Sequence, residues 1–240
     1  FTGCAFPEAE QGINVSRIAQ LMAGFPVTCS AAVVNRFCNS GLEAIAIAAL
    51  KIKAGWMDVA MGCGLESMSI VPMGGNMPRP HPEWAKQNAD VYISMGITAE
   101  NVASRYNISR EDQDKFGCDS QLKAAKAQKE KLFTELIPTK ATRFVQDADG
   151  TFKKETFIQD FDDGVRPDTT VEGLAKLRPA FKAGGSVTAG NASQTTDGAA
   201  ATILASEEAC KKYNLKPLAR IVSYAVAGCE PDEMGVGPKY

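Results

Sequence analysis

The stretch Val34-Asn-Arg-Phe-Cys-Asn-Ser-Gly-Leu-Glu-Ala44 links an apolar run to an apolar helix, and this junction decides the class of fold. The run before it, residues 26–34, is short and rich in β-branched residues, which predicts a buried strand. Residues 42–53 predict a helix that is apolar around most of its circumference and buried on nearly all sides, and Gly55 would cap its end. A second buried strand begins at residues 57–61, so the order is strand, helix, strand, as in the βαβ unit of an α/β layer.

The central part of the chain differs from this layer because it is more polar and more mixed in structure. Residues 68–93 carry glycines, prolines and methionines without a sustained period, which predicts a loop or a linker. Two helices follow, over residues 98–106 and over residues 109–130, and the second starts with an S-x-x-D cap. A hairpin that turns at residues 147–150 comes next. We therefore expect residues 68–185 to form an inserted domain.

After residue 185 the small residues and the β-type runs return. Residues 197–205 predict a buried strand, residues 206–214 a capped helix and residues 221–228 another strand. These elements resume the α/β layer. The sequence contains no internal repeat and no low-complexity tract.

The composition excludes several classes of protein. The 240 residues carry a formal net charge of −2 and have a pI near 5.6, which gives no basic field for nucleic acid. No apolar run is long enough to predict a membrane span. The 7 cysteines are scattered, without a C-x-x-C pair or a Cys/His ligand spacing. This pattern argues for a reducing compartment and against both a disulfide scaffold and a metal site.

The single histidine, His81, lies in Pro78-Arg-Pro-His-Pro82, where prolines favour turns and extended chain. A catalytic base is usually held by more rigid surroundings, so we do not expect His81 to be one. A mechanism that needs a histidine in the core would take it from outside these residues. The start at Phe1 without a methionine, and a strand-like run that ends shortly before Tyr240, lead us to expect part of a longer protein.

Cys38 is the best candidate for a catalytic residue. It lies between a predicted strand and the first turn of a predicted helix, where free N–H groups and the helix dipole stabilise a thiolate. The same N–H groups can donate to an oxyanion, and the small residues Ser40 and Gly41 leave room for a substrate carbonyl. The alternative is a buried structural cysteine, which is the commonest role of a free cysteine.

Two glycine-containing segments, residues 62–64 and 235–237, are similar to parts of phosphate loops, but neither completes such a motif. Packing between strand and loop is the interpretation that we favour for both. Arg166, Arg178 and Lys182 could meet a phosphate, although ordinary surface charge explains each of them as well.

Taken together, these segments resemble a thiolase. The nucleophile motif Cys-x-Ser is present as Cys38-Asn39-Ser40 within the opening stretch. Other matching segments follow in the family's order across nearly the whole chain: Gly62-Cys-Gly-Leu-Glu-Ser-Met-Ser69, Met95-Gly-Ile-Thr-Ala-Glu-Asn-Val-Ala103, Leu174-Ala-Lys-Leu-Arg-Pro-Ala-Phe181, Ser186-Val-Thr-Ala-Gly-Asn-Ala-Ser193, Asp197-Gly-Ala-Ala200 and Met234-Gly-Val-Gly-Pro238. The resemblance implies that Cys38 is the residue that accepts the acyl group.

The resemblance implies a thiolase fold, in which two similar α/β halves, each with a five-stranded mixed sheet, stack as α/β/α/β/α layers. Residues 1–67 and 186–216 would belong to the first half, whose first strands are missing. Residues 68–185 would be the inserted α+β loop domain that holds coenzyme A in thiolases. Residues 217–240 would start the second half, so the fold would be incomplete in this chain.

The resemblance also assigns contacts to coenzyme A (CoA). By matching position, Met95, Phe181, Ala189 and Ser193 would line the pantetheine channel, and Arg166 would reach the nucleotide end of CoA. Apolar walls suit a thin flexible arm, a hydroxyl suits its amide, and a guanidinium suits phosphate or adenine. CoA is then a substrate, and the resemblance implies no cofactor.

The chain departs from the family pattern in three respects. Family members are considerably longer, and three motifs are absent here: Asn-Glu-Ala-Phe, Gly-His-Pro and a second Cys-x-Gly, which supply the water-holding Asn, the His and the acid/base Cys. Phe37 stands where Gln is usual. Ser94 stands where short-chain biosynthetic thiolases carry His, which favours a degradative 3-ketoacyl-CoA thiolase of the peroxisomal type.

The expected function is that of an acyltransferase of fatty-acid β-oxidation. It would cleave 3-ketoacyl-CoA with CoA to acyl-CoA and acetyl-CoA, through an acyl group on Cys38. The alternatives are a biosynthetic acetoacetyl-CoA thiolase and a non-catalytic thiolase-like protein that binds acyl-CoA. The resemblance further implies a homodimer or homotetramer, located in the peroxisome or else in the mitochondrion or cytoplasm. Without the absent motifs, we expect the 240 residues alone to be inactive.

Overall fold

The computed structural model describes residues 1–240, which form two compact units. Unit 1 consists of residues 1–87 and 195–227, and unit 2 consists of residues 88–194 and 228–240. The boundaries expected from the sequence, after residues 67, 185 and 216, stay predictions. No helix combines the length and the apolar composition that are needed to cross a membrane.

The chain forms six strands and seven α-helices. The strands are β1 (Thr2–Gly3), β2 (Val33–Val34), β3 (Val59–Glu66), β4 (Thr139–Gln146), β5 (Phe152–Gln159) and β6 (Gly198–Ala205). The α-helices are α1 (Val15–Met22), α2 (Ser40–Lys53), α3 (Pro82–Gln87), α4 (Met95–Arg105), α5 (Arg110–Lys129), α6 (Val171–Ala175) and α7 (Glu207–Lys212). Short 3₁₀ helices cover Ala9–Gln11, Ala89–Tyr92 and Pro231–Lys239.

Unit 1 contains a mixed sheet with the strand order β2-β1-β3-β6. Strand β1 is parallel to both of its neighbours, whereas β3 and β6 pair antiparallel over 8 residues each. The predicted strands at 57–61 and 197–205 correspond to β3 and β6. The mixed sheet that the resemblance implies is present, with four strands among the described residues rather than five.

Helices α1 and α2 cover opposite faces of this sheet. Thr2 pairs with Cys63, and the Thr2 Oγ1 lies 2.7 Å from the Ser16 Oγ of α1. Neighbouring residues of a strand point to opposite faces, so Gly62 faces away from α1. A Cβ built on Gly62 would lie 2.7 Å from the Ile45 Cγ1 of α2. The glycine therefore permits close packing of helix on strand, whereas the sequence predicted packing between strand and loop for residues 62–64.

Helix α2 matches the predicted helix and ends as expected. Gly55 adopts φ +74°, and its N–H donates to the Ile52 carbonyl at 2.9 Å. The Trp56 N–H donates to the Lys51 carbonyl at 3.0 Å, which completes a Schellman motif. The prediction that α2 is buried on nearly all sides is wrong for the described chain. Leu42 is 53% exposed and Leu50 is 55% exposed, because the sheet covers only one side of the helix.

The strand predicted over residues 26–34 is restricted to the two residues of β2. The Cys29 N–H donates to the Pro26 carbonyl at 3.0 Å, which makes a turn instead of a ladder. Arg17 on α1 donates to the carbonyls of Val27, at 2.9 Å, and of Cys29. Side chains therefore satisfy the carbonyl groups that a strand would offer to its neighbour.

The strand predicted over residues 221–228 is also wrong. None of its backbone groups hydrogen-bonds to another strand, so it has no ladder to stabilise it. Its Tyr224 hydroxyl donates instead to the Glu43 carboxylate of α2. The preceding predicted helix is confirmed as α7, where the Ser206 Oγ accepts from the Ala209 N–H at 3.0 Å.

Unit 2 contains α4, α5 and the β4–β5 hairpin, all of which the sequence predicts. Helix α4 starts at Met95, three residues before the predicted start. Ser109 caps α5 as expected, since its Oγ accepts from the Asp112 N–H at 3.0 Å. The hairpin turns where the Gly150 N–H donates to the Asp147 carbonyl at 2.9 Å.

The predicted loop over residues 68–93 is largely irregular, but it contains two short helices. One is α3, which begins with Pro82, a residue suited to the first helical position because it lacks an N–H. The other is the 3₁₀ helix Ala89–Tyr92.

Candidate functional site

Cys38 lies in a tight turn two residues before α2 and is exposed. The Asn39 N–H donates to the Arg36 carbonyl at 3.1 Å, and the Ser40 N–H donates to the Phe37 carbonyl at 2.9 Å. Phe37 adopts φ +47°, in the left-handed region that non-glycine residues rarely occupy. The chain therefore reverses sharply at Phe37 and presents the next side chain, that of Cys38, to solvent.

Two polar side chains brace this turn from either end. Ser40 is buried, and its Oγ accepts from the Arg36 N–H at 2.8 Å and donates to the Phe37 carbonyl at 2.5 Å. The Asn35 Oδ1 accepts from the Phe37 N–H at 2.8 Å. These contacts satisfy the backbone on both sides of Cys38 and fix its position at the start of the helix.

The start of α2 offers donors to an anion next to Cys38. The N–H groups of Gly41 and Leu42 make no hydrogen bond within the chain, as is usual in the first turn of a helix. Together with the positive end of the helix dipole they favour an oxyanion. Glu43, in the same turn, is paired with Arg36, with 2.9 Å between Oε2 and Nε.

A second polar cluster lies beneath the turn, around the Glu66 carboxylate. The Glu66 carboxylate accepts from the N–H groups of Ala5 at 2.7 Å and Phe6 at 3.3 Å, and from the Gln11 Nε2 at 2.9 Å. The Cys4 Sγ lies 3.7 Å from the Glu66 Oε1. Burial raises the pKa of the Cys4 thiol to about 11, and the charge on Glu66 acts in the same direction. Cys4 is therefore a structural cysteine.

His81 lies at the start of α3 and acts as a cap. Its Nδ1 accepts from the Trp84 N–H at 3.3 Å, and its carbonyl accepts from the Ala85 N–H at 2.9 Å. His81 is thus an exposed capping residue, and the expectation that it is not a catalytic base stays a prediction.

Met95 and Phe181, two of the residues assigned to CoA, are close together in unit 2. Met95 is the first residue of α4, and the Phe181 ring packs on the next residue, Gly96. A Cβ built on Gly96 would lie 2.1 Å from the Phe181 Cδ1, so only glycine fits there. Both side chains are about half exposed, Met95 at 43% and Phe181 at 44%. Together they form an apolar surface that is open to a ligand.

Ala189 and Ser193 lie in the loop that follows Phe181, and both are exposed. The Ala180 N–H donates to the Val187 carbonyl at 2.9 Å, which holds this loop beside residue 181. The Ser193 Oγ donates to the Gln194 carbonyl at 3.3 Å. The structure thus places Met95, Phe181 and the loop of Ala189 in one region of unit 2.

Arg166 lies on an exposed loop of unit 2. Its N–H donates to the Gln121 Oε1 of α5 at 2.8 Å, and its Nη1 donates to the Asp163 carbonyl at 3.2 Å. A Cβ built on Gly164 would lie 2.6 Å from the Gln194 Nε2. The Arg166 loop therefore approaches the end of the loop that carries Ser193, and the guanidinium stays accessible.

Two buried carboxylates that the sequence did not single out hold the loop of Ala189. Glu100 on α4 accepts from the N–H groups of Ser186 at 2.9 Å and Val187 at 2.8 Å. Burial raises the pKa of Glu100, but the hydrogen bonds from Val187 and Ser186 outweigh burial and lower the pKa below its ordinary value. Asp114 on α5 accepts from the Asn191 Nδ2 at 2.9 Å. The signal in the sequence that could have drawn attention to these two residues was a carboxylate within each predicted helix.

Comparison with known proteins establishes the family. The family model described as "Thiolase, N-terminal domain" matches residues 1–208. The chain belongs to the thiolase family. The match contains Cys38 and all five residues that the resemblance assigns to CoA.

Two curated thiolases show the extent of the similarity. A 3-ketoacyl-CoA thiolase of Bacillus subtilis (strain 168) is 48% identical over 237 residues, which cover 98% of this chain and 61% of the relative. A peroxisomal 3-ketoacyl-CoA thiolase of Homo sapiens is 48% identical over 232 residues, which cover 95% of this chain and 54% of the relative. The chain therefore spans between half and two thirds of the length of these thiolases.

Solved thiolase structures confirm the fold. The dimeric peroxisomal thiolase of Saccharomyces cerevisiae is similar with a TM-score of 0.83 and 37% identity, over 100% of this chain and 60% of that one. Human mitochondrial 3-ketoacyl-CoA thiolase is similar with a TM-score of 0.80 and 37% identity, over 98% of this chain and 61% of that one. The thiolase fold inferred from the motifs is thus confirmed for the part that the chain covers.

The residue roles remain predictions within this confirmed fold. Cys38 belongs to unit 1, and the five residues assigned to CoA belong to unit 2. The sequence singled out Ser40 for its small size and as part of the Cys-x-Ser motif, but not as a brace of the turn, and it did not single out Asn35. Asn35 lies three residues before Cys38 and Ser40 lies two residues after it. Side chains at these positions can hydrogen-bond the backbone of a turn, and this was the signal that could have found them.

Proposed function

We propose that this thiolase transfers acyl groups from 3-ketoacyl-CoA to CoA and that Cys38 carries the acyl group between the two steps. The observation that supports this most is the turn around Cys38. An exposed thiol is held by a braced backbone at a helix start, beside N–H groups that have no partner in the chain. The names of the Bacillus subtilis and human relatives support the choice of substrate.

The first step cleaves a carbon–carbon bond. The Cys38 thiolate attacks the 3-keto carbon, and a sulfur–carbon bond forms as the oxygen becomes an oxyanion. The oxyanion collapses, the bond between C2 and C3 breaks, and its electron pair stays on C2. Acetyl-CoA leaves as an enolate, which then takes up a proton. An acyl group two carbons shorter than the substrate remains on Cys38 as a thioester.

The second step regenerates the thiol. The sulfur of a second CoA loses its proton and attacks the acyl thioester of Cys38. A new thioester forms on CoA, and the Cys38 thiolate leaves. The N–H groups at the start of α2 are donors for the oxyanion of either step. We assign no group of this chain to the two proton transfers, so we expect the 240 residues alone not to turn over.

The exposed surface of unit 2 supports the proposed CoA contacts. Met95 and Phe181 supply apolar area for the pantetheine arm, and the loop of Ala189 and Ser193 borders it. The Ser193 hydroxyl suits an amide of the arm, and the accessible guanidinium of Arg166 suits the nucleotide end. CoA serves as a substrate, and the proposal needs no cofactor.

The test is a thiolysis assay on the whole protein with 3-ketoacyl-CoA and CoA. We expect parallel lines in double-reciprocal plots, because acetyl-CoA leaves before the second CoA binds. Cys38→Ala removes the nucleophile and is expected to abolish turnover. Cys210→Ala, at a half-buried cysteine of α7, is the matched control and keeps turnover. Intact turnover of Cys38→Ala would refute the proposal, and acyl-CoA binding without turnover would favour a non-catalytic protein.

The degradative role is tested by chain length. Ser94 in place of the histidine of short-chain thiolases supports it, so we propose faster turnover of long 3-ketoacyl-CoAs than of the four-carbon substrate. The opposite order of kcat/KM would assign the protein to acetoacetyl-CoA synthesis instead.

The assembly and the compartment are further proposals. The yeast structure is of a dimeric thiolase, which supports a homodimer. The alternative is a homotetramer, and light scattering on the whole protein distinguishes the two.

Human and rat relatives are named peroxisomal, which supports the peroxisome as the compartment. A bacterial relative is equally similar, so the mitochondrion and the cytoplasm are the alternatives to examine by fluorescence co-localisation.

A further inference from the structure

The backbone of Phe37 is in a conformation that needs support. A left-handed φ is unfavourable for a non-glycine residue, and it persists only where the surroundings fix it. The Phe37 side chain is 64% exposed, so packing contributes little. Hydrogen bonds to the backbone must supply the support, and Phe37 is the residue directly before Cys38.

Asn35 is placed to supply it. Its Oδ1 accepts from the Phe37 N–H at 2.8 Å, and its Nδ2 donates to the Ala5 carbonyl at 2.9 Å. One amide side chain therefore joins the strained residue to a separate segment of unit 1. Ser40 braces the turn from the helix side, whereas Asn35 makes the side-chain hydrogen bond that connects the turn to the segment around Ala5.

That segment is itself fixed by Glu66. The carboxylate accepts from the N–H groups of Ala5 and Phe6, and the Phe6 ring centroid lies 6.1 Å from that of Phe37. The chain of contacts runs from β3 through Ala5 and Asn35 to Phe37. Charge-assisted bonds are the stronger kind, so Glu66 makes the Ala5 carbonyl a firm anchor for Asn35.

We propose that Asn35 is a positioning residue for the Cys38 nucleophile. It holds Phe37 in its left-handed conformation and ties the turn to the anchored Ala5 segment, so the Cys38 Sγ keeps one direction of approach. This role rests on the proposed function of Cys38. Displacing a reacting atom by about 1 Å can cost 100-fold in rate, so a relaxed Phe37 would slow acyl transfer while leaving the thiol accessible.

The experiment compares two reactions of Cys38 in the whole protein. One is acetylation by acetyl-CoA, which needs a defined approach, and the other is alkylation by iodoacetamide, which needs only an accessible thiol. For Asn35→Ala we expect acetylation to slow about tenfold or more and alkylation to change less than about threefold. Asn35→Ser keeps a weaker acceptor for the Phe37 N–H. We expect its acetylation rate to lie between those of Asn35→Ala and the unmodified protein.

A control separates positioning from general destabilisation. Ser206→Ala removes the cap of α7 in the same unit, and it is expected to lower stability without changing either reaction of Cys38. If Asn35→Ala is acetylated at the same rate as the unmodified protein, the positioning role is overturned and the proposed function stands. Equal slowing of both reactions would also overturn it, because it indicates a structural role only. If the unmodified protein is never acetylated, the proposed function fails, and the positioning role fails with it.

Discussion

Replacing Glu100 with Gln should loosen the loop that carries Ala189 and Ser193. Glu100 is 5% exposed, and its carboxylate accepts from the Ser186 N–H, the Val187 N–H and the Ser186 hydroxyl. A hydrogen bond to a charged group contributes about 1.5–3 kcal/mol, against about 0.5–1.5 kcal/mol for a neutral pair. Gln can keep the bonds from the two backbone N–H groups in neutral form, and each weakens by about 1 kcal/mol, so we expect a loss of about 2 kcal/mol at these two amides.

This contribution depends on pH in a direction that the structure sets. The pKa of Glu100 in the folded chain lies below its ordinary value, which is about 4.3 for the free side chain. The stabilisation is therefore complete above that ordinary value, and it is lost as the pH falls through the folded pKa. Gln does not titrate, so the difference between the two proteins should shrink in the same range.

Hydrogen exchange at the amides of Ser186 and Val187 measures the effect where it arises. We expect Glu100→Gln to lower their protection by about 2 kcal/mol at neutral pH and by much less in acid. Glu135→Gln, at an exposed carboxylate of unit 2, is the control and should leave both amides unchanged. Unaltered protection in Glu100→Gln, or a loss that is equally large in acid, would refute the reasoning.

Two further predictions concern unit 1. Gly62→Ala should lower the free energy of unfolding by about 1–3 kcal/mol, because its Cβ would lie 2.7 Å from the Ile45 Cγ1. Gly198→Ala in the same sheet is the control and should leave the free energy of unfolding unchanged, because its Cβ would meet nothing within 4 Å. Urea unfolding followed by tryptophan fluorescence checks the pair, and equal midpoints would contradict the packing. The Cys4 thiol, with its pKa raised to about 11, should resist alkylation at pH 8 in the folded protein while Cys38 reacts; equal rates would contradict its burial.

The sequence predicted those elements whose determinants are local. Helix α2 and its Schellman end follow from an apolar run and Gly55, and the start of α5 follows from Ser109. The β4–β5 hairpin follows from the turn at residues 147–150. In each case the deciding side chains lie within a few residues of the backbone that they satisfy.

Errors arose where distant side chains decide the outcome. The carbonyls of residues 27 and 29 are satisfied by Arg17, so residues 26–32 are not a strand despite their β-branched composition. Residues 221–228 have strand-like composition but no neighbouring strand to pair with. Composition reports what a segment could do in a sheet, whereas the available partners decide whether it does.

In the candidate site, too, the features with local determinants could be predicted from the sequence, and those that depend on distant residues could not. Cys38 and its place at a helix start could be predicted from the motif and the period of the following helix. The bracing of its turn could not, because Asn35 reaches Ala5, which Glu66 anchors from β3. These residues are separated by 30 or more positions along the chain, and no local pattern connects them.

Locating the acyl group tests the central claim most directly. The whole protein is incubated with a 3-ketoacyl-CoA without free CoA, digested with trypsin and examined by mass spectrometry. Cleavage after Arg36 and Lys51 isolates residues 37–51, a peptide whose single cysteine is Cys38. The account predicts that this peptide carries an acyl group two carbons shorter than the substrate. An unmodified peptide, or the same acyl group on a peptide with a different cysteine, would contradict it.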